Sequence, residues 1–571
     1  MPDLISIDQI DLTPIRGRSY FNLERDGREE VIYFLMIDRF HDSARRPPVL
    51  QSSRSAGFAA PDTFYGGTIR GITDHLDYIA GLGCTAVWLS PIFENNPNSY
   101  HGYDINNYLN VDPHFGTKQD LIDLVDAAHN FRRNSRPYPV RVILDVVTNH
   151  SGDNWSYRNN QPRFFDNDRR FEFGAWRRPD RPIPIELRNP ELYHRRGQIK
   201  NYDAYPEVRD GDICDLKDYA NDDDETGAAL INILIKSHCY WIREADVDGF
   251  RLDAVKHMNP IACAAFCSAV REYAYTLGKR QFFLFGEVAA PSDNLYNRYL
   301  GPNTSVTDAG DTVFVGLDSV LDFRLAEGIY GDDNNAPLYA VLKGLKGPQT
   351  LFNRAEAQKE SALSGAELGR YLVTFLDNHD SFWEPMGRYA HGATDEQVIG
   401  AVGFLLCSQG TPCLYYGTEQ GLSGYGGDNQ VREALFDHAP GGRNALNPDC
   451  RIYQGISRIA EVRRSLAPLR FGRMYYRQIS AGGTRFGLPY GSAYTLAFSR
   501  VLYGSPDVLV AYNVSGAHRS DCIVVDALLH ADGSKLEYAY GGEGALQVRT
   551  APDGTRYVRL PLGPHGFAIL K

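Results

Sequence analysis

Eight short apolar runs, each separated from the next by polar or helix-patterned sequence, narrow the folds open to this chain more than any other feature. They are VIYFLMI (31–37), AVWLS (86–90), VRVILDVV (140–147), VDGFRLD (247–253), QFFLFGEV (281–288), SVLDFRL (319–325), YLVTFLDN (371–378) and TPCLYYG (411–417). Near-continuous apolar runs of this length suit strands buried on both faces, as in a parallel sheet. Helical spacing fills the intervals. In ALINILIKSHCYWIREA, Leu230, Ile233, Leu234 and Trp241 fall on one stripe. Alternating strands and helices build right-handed βαβ units. Eight in this order predict an α/β fold, a (β/α)8 TIM barrel, ahead of a doubly wound sheet, which periodicity alone leaves open.

Two departures divide the chain. The third and fourth runs are separated by roughly a hundred residues, far more than a βα loop needs, and that insertion is rich in Asp, Asn, Arg and Pro. Toward the C-terminus helical spacing gives way to alternating stretches such as AYTLAFSR and DVLVAYNVS, which predict an antiparallel β-sandwich. The expected division is a barrel over 1–150 and 236–470, an inserted domain B over 151–235 and a C-terminal sandwich over 471–571.

Composition excludes several function classes. A formal net charge of −12 over 571 residues argues against a nucleic-acid partner, because polyanions select basic faces. No uncharged apolar run reaches the ~18 residues of a membrane span, and the first thirty residues lack the pattern of a secretory signal. Nine cysteines, several within apolar runs and none in a CxxC pair, read as reduced thiols; Cys263 and Cys267 mark one helix face. The expectation is a cytoplasmic protein with no nucleic-acid or membrane partner; its oligomeric state is not readable. Thirty-five tyrosines suit a carbohydrate ligand, whose C–H faces stack on rings, although most aromatic residues serve a core.

Ionisable residues gather where the apolar runs end. The third run gives Asp145, Asn149 and His150; the fourth gives Arg251, Asp253, Lys256 and His257. The fifth gives Glu287, and the seventh gives Asp377, His379 and Asp380. Each alone has a plain structural reading: an Asp after a strand is commonly a helix N-cap, and Lys256 with His257 makes an ordinary solvated helix start. Jointly they point to the C-terminal mouth of a βα-barrel, where active sites are assembled from several strand ends.

DVVTNH, GFRLDAVKH, GEV and FLDNHD resemble, in order, the four sequence regions of the α-amylase family, the retaining glycosidases and transglycosidases of glycoside hydrolase family 13. GGTIRGITDHLDYIAGLGCTAVWLSPI, SYHGYDINNYLNVDPHFGT, GTPCLYYGTEQGL and VREALFD resemble flanking regions of the same family, so the likeness spans roughly residues 30 to 465. It implies the barrel, inserted domain and C-terminal β-domain already expected. It also implies Asp253 as nucleophile, Glu287 as general acid/base and Asp380 as the third acid. His150 and His379 would bond the same sugar, Tyr103 would stack on it, and His101 and Asp104 would line it.

Elementary chemistry agrees with that split. Retaining cleavage needs two carboxyl groups about 5–5.5 Å apart. Arg251, two residues before Asp253, points to the same side of its strand and should keep that carboxylate ionised. Glu287 follows apolar FFLF, where desolvation raises its proton affinity. By the same family resemblance, Lys256 and His257 after the nucleophile imply an α-1,4-glucan or maltooligosaccharide substrate, with Lys256 touching the leaving or accepting chain. No organic cofactor is implied. Asn149, Asp215 and the carbonyl of His257 match a family calcium site, whereas DRFHDSARRPP, with Arg45 and Arg46, does not match a second. Three readings follow: a hydrolase, a glucanotransferase sharing every catalytic residue, and a non-catalytic barrel, which the three retained acids disfavour.

Overall fold

The computed structural model describes residues 4–42, 64–165, 170–178, 180–289, 293–296, 298–300, 305–308, 311–314, 316–328, 336–359, 368–380, 387–436 and 445–571. Arg45 and Arg46 lie outside the described residues. Eight parallel strands close into a barrel in sequence order: β1 Ile32–Leu35, β2 Ala86–Leu89, β3 Arg141–Val147, β4 Gly249–Asp253, β5 Phe283–Gly286, β6 Ser319–Leu321, β7 Leu372–Thr374 and β8 Thr411–Tyr415. All eight apolar runs become strands, each shorter than its run, the sixth and seventh most of all. After Leu321, Asp322 caps the helix Phe323–Glu327 by accepting from the Leu325 amide, so SVLDFRL changes structure midway. After Thr374 the chain leaves the sheet, which frees the residues that follow for the barrel mouth.

Register fixes what faces inward. Arg251 pairs with Asp145 on β3 and with Phe285 on β5. Alternation along a strand then sends Arg251 and Asp253 to one side of β4. The helix Glu225–Ala245, capped by the Asp224 side chain, leads into β4 through the short turn Asp246–Asp248. The expected boundary at 235/236 falls inside this helix, whose amphipathic spacing extends through its whole length. Between β3 and this helix, short strands His150–Ser151 and Lys217–Asp218 pair with each other, and Trp155–Tyr157 pairs with Phe173–Trp176.

Two antiparallel sheets form the C-terminal part, one of six strands and one of four. Leu509, Ala511, Ile523, Val558, Leu560 and Leu570 pack between them. All nine cysteines are free thiols; seven are buried, Cys450 is half-buried and Cys214 is exposed. No helix among the described residues is long and apolar enough to cross a membrane.

The barrel and the C-terminal sheets meet through the helix Asp395–Cys407. A Cβ on its Gly400 would stand 2.2 Å from Cε2 of buried Tyr512, whose hydroxyl donates to the Leu342 carbonyl. Gly400→Val should therefore force Tyr512 out of place and cost about 1–3 kcal/mol. A lowered thermal midpoint checks this, and an unchanged one would show that the contact is slack.

Candidate active site

Each strand end contributes through its own local geometry. Asp253 is the last residue of β4, and the chain turns at once, with Ala254 in the left-handed region at φ 51°. That turn aims the Ala254 amide at Glu287 Oε2, 3.0 Å away. Glu287 stands directly after β5. His379 and Asp380 lie in the loop after β7, and Tyr103 lies beyond β2 in a turn opened by Gly102 at φ 93°.

The Arg251 guanidinium ties these ends together. Its Nη1 donates to Asp253 Oδ1 at 2.6 Å and to both Asp145 oxygens at 2.9 and 3.0 Å. Its Nη2 lies 2.8 Å from Glu287 Oε2. Asp145 also accepts from Trp88 Nε1 at 3.1 Å and from the Tyr103 hydroxyl at 2.9 Å. That hydroxyl stands 2.8 Å from His379 Nε2, which is 3.4 Å from Asp380 Oδ2. Arg432 closes the far side, with Nη2 2.8 Å from Asp380 Oδ1 and Nε donating to the His379 carbonyl.

Three acids around one guanidinium leave a surplus of negative charge. Burial pushes Glu287 up to about 8, against the lowering effect of Arg251 and with repulsion from Asp253 and Asp380 adding to the rise. Burial also raises Asp253 to about 6; Arg251 opposes the shift and Asp145 adds to it. Burial thus outweighs Arg251 at Asp253, and the guanidinium opposes the rise without removing it. Burial lowers His150 to about 3, so its ring is neutral. Both its nitrogens are buried and make no well-formed hydrogen bond to the described residues, the Tyr103 backbone only opposing the shift, and Nε2 stands 4.0 Å from Asp253 Oδ2. Unspent buried donors and acceptors call for a ligand's polar groups.

The family model for the α-amylase catalytic domain matches residues 34–444. The chain belongs to the α-amylase family. An α-amylase of Streptomyces lividans is 28% identical over 83% of this chain and 55% of its own length. A cyclomaltodextrin glucanotransferase of Klebsiella oxytoca is 27% identical over 69% of this chain and 58% of its own. The chain thus spans little more than half of these curated relatives. Among solved structures, the Geobacillus thermoleovorans α-amylase complexed with acarbose is 25% identical, with a TM-score of 0.67, covering 96% of this chain and 99% of that one.

Other residues singled out in this α-amylase-family chain have definite places. His101 accepts from the Tyr103 amide and meets the Ser99 hydroxyl, which orients the Tyr103 loop. Asp104 accepts from the Asp153 amide and so joins that loop to the insertion; burial raises it to about 6. Lys256 is no solvated lysine: its ammonium lies 2.6 Å from Asp203 of the insertion. His257 Nδ1 meets the Val208 carbonyl at 2.6 Å. Asp377 accepts from the Tyr389 amide and the Thr418 hydroxyl, a supporting position.

The calcium donors meet only in part. Asn149 is buried with its Oδ1 unpartnered, which suits an ion, but its amide donates to Asp218 Oδ1. Asp218 in turn holds His194, which Asp218 and Asp222 push up to about 10 despite burial. A ring nitrogen of His194 thus already occupies that carboxyl group, 2.5 Å from Asp218 Oδ2. Asp215 is exposed, and only its backbone carbonyl is engaged, by Lys217. The set does not fit an ion, and no chemical step depends on one there.

Asp145 and Arg432 are the groups whose roles the sequence reading left unassigned. Asp145 was visible as a strand-end acid, whereas Arg432, within VREALFD, carried no signal of its partner. Asp145→Ala strips an acceptor from Arg251, Trp88 and Tyr103 together. It should cost roughly 3–5 kcal/mol, read as a lower urea midpoint; a shift under about 1 kcal/mol would mean that the remaining acids hold Arg251 unaided.

Proposed function

We propose that this protein cleaves α-1,4-glucans or maltooligosaccharides with retention, through a glycosyl ester on Asp253. One guanidinium spanning Asp253 and Glu287 carries this conclusion. Oxygens held by a single Arg fork are closer in spacing to the about 5–5.5 Å of retaining enzymes than to the about 6.5–9.5 Å of inverting ones. The unequal proton affinities of the pair support the division of roles.

In the first step an Asp253 carboxylate oxygen bonds to the anomeric carbon as the glycosidic C–O bond breaks. The Glu287 proton passes to the leaving oxygen. In the second step the acceptor oxygen bonds to the anomeric carbon, the ester bond breaks, and the acceptor proton goes to Glu287. Asp380, held by Arg432, accepts hydroxyls of the distorted sugar; His150 and His379 bond the same ring, and Tyr103 stacks on it. The Lys256–Asp203 pair and Tyr202, beside His257, wall the acceptor side. Matches to cyclomaltodextrin glucanotransferases, covering up to 92% of this chain, keep transfer to a sugar acceptor as the second reading.

Maltoheptaose, followed by chromatography with Asp253→Asn as control, separates the two. Hydrolysis gives only shorter sugars, with reducing ends rising in step. Products longer than the substrate at nearly constant reducing ends would replace it with transfer. Wild type and control behaving alike would defeat both.

The pH dependence has a definite sign. Activity requires Asp253 ionised and Glu287 protonated, so kcat/KM should rise through about 6 and fall through about 8. These limbs belong to the coupled pair. Glu287→Gln should remove the alkaline limb and slow poor leaving groups by about 10²–10⁴-fold. A profile still falling near 8 in that variant would show that another group is the acid.

A further inference from the structure

The loop after β8, residues 421–427, carries Tyr425 with 49% of its surface exposed. The segment 387–391, which leads toward the helix Asp395–Cys407, fastens that loop. Gly387 bridges Tyr425 in antiparallel register, and the Arg388 amide donates to the Gly424 carbonyl at 2.9 Å. The buried Arg388 guanidinium pairs with Glu433 Oε2 and donates to the Tyr416 carbonyl at 2.7 Å. Glu433 Oε1 accepts from the Gly424 amide, also at 2.7 Å. The His391 ring stacks on Tyr425 with centroids 4.5 Å apart, and its Nδ1 lies 3.1 Å from the Ser423 carbonyl.

Single exposed tyrosines are ordinary on a protein surface. Tyr425 differs in being fixed at both its backbone and its ring. Ordering a side chain costs conformational entropy, and here that cost is met while half of the residue stays in water. One face of the ring rests on His391, and what remains is a held, exposed aromatic surface.

The same loop reaches the third acid. Asp428, three residues after Tyr425, lies 3.5 Å from Arg432 Nη2, the atom that stands 2.8 Å from Asp380 Oδ1. Asn429 accepts from the Tyr100 hydroxyl, to which Arg432 Nη1 donates. Three residues extend at most about 11 Å, so Tyr425 stands within reach of a short sugar chain whose reacting ring lies against Asp380. It is on the side away from Lys256, whose amide faces the Glu287 carbonyl where the leaving group departs.

We propose that Tyr425, backed by His391, is a stacking platform for the glycone arm of an α-glucan, beyond the ring held by Asp380, and that it sets which bond of the chain is cut. The inference rests on the α-1,4-glucan reading above. A glucose ring lays its C–H face on an aromatic plane, while its hydroxyls meet the phenol and the imidazole edge. Because the platform is assembled on folding, binding does not bear the cost of ordering it. A chain with several units on the glycone side gains this contact, and one that ends at Asp380 does not.

Maltoheptaose labelled at its reducing end with 2-aminopyridine tests this, because the length of each labelled fragment reports the bond that was cut. At low substrate concentration and initial rate, wild type should release mainly short labelled fragments. Tyr425→Ala should shift the pattern toward longer ones, with kcat/KM at the bonds nearest the label falling about tenfold more than at those nearest the non-reducing end. Tyr425→Phe keeps the ring and should keep the wild-type pattern. An unchanged pattern in Tyr425→Ala, a shift toward shorter labelled fragments, or an equal loss at every bond would overturn the proposal; the last is what a merely structural role gives. Wild type that cuts no bond would defeat the α-1,4-glucan reading, and this inference with it.

Discussion

The buried guanidinium of Arg251 is the interaction on which the site depends. An isolated cation in a packed barrel would cost several kcal/mol of lost hydration. Asp145, Asp253 and Glu287 offset that cost, but one cation cannot neutralise three acids. The surplus appears as increased proton affinity, unequally shared. Nη1 serves Asp145 and Asp253, while Glu287 has Nη2 and one amide and faces two other acids. The acid that keeps its proton at neutral pH is thus selected by the geometry of a single fork.

Holding that fork requires a backbone that ends its strands at unequal heights. Ala254 adopts the left-handed region at a cost of about 1–2 kcal/mol, and the conformation turns its N–H toward Glu287. Behind the charges, the Phe34 ring stacks on Trp88 at 3.7 Å between centroids, and Phe285 meets Trp88 edge-on. This aromatic floor keeps water away from Arg251 and leaves its ion pairs poorly screened.

Much of this was legible in the sequence because it is local. Apolar runs of strand length mark the barrel, and acids at their ends mark the mouth; Arg251 and Asp253 share a face because strands alternate. What the sequence withheld depends on residues far apart in the chain. The pairing of Lys256 with Asp203, of Asp380 with Arg432 and of Asn149 with Asp218 spans tens of residues or more and has no periodic signature. Asp215 illustrates the limit: its motif matches a calcium ligand, yet its side chain is exposed, and Asn149 is joined to Asp218. The arginines at the barrel base are equally invisible: Arg141 opens β3, Arg271 lies within the helix Pro260–Thr276, and Arg25 and Arg280 lie between elements.

The two ends of the barrel carry opposite charge, and β3 links them. Arg141 and Asp145 are four residues apart, so both side chains leave β3 on the same side, about 13 Å from each other along the strand. In water that exceeds the Debye length of about 8 Å. Between them lies packed aromatic core without mobile ions, where screening by salt does not act. Arg141 already lowers the proton affinity of Asp248, Asp26 and Asp318 around the base.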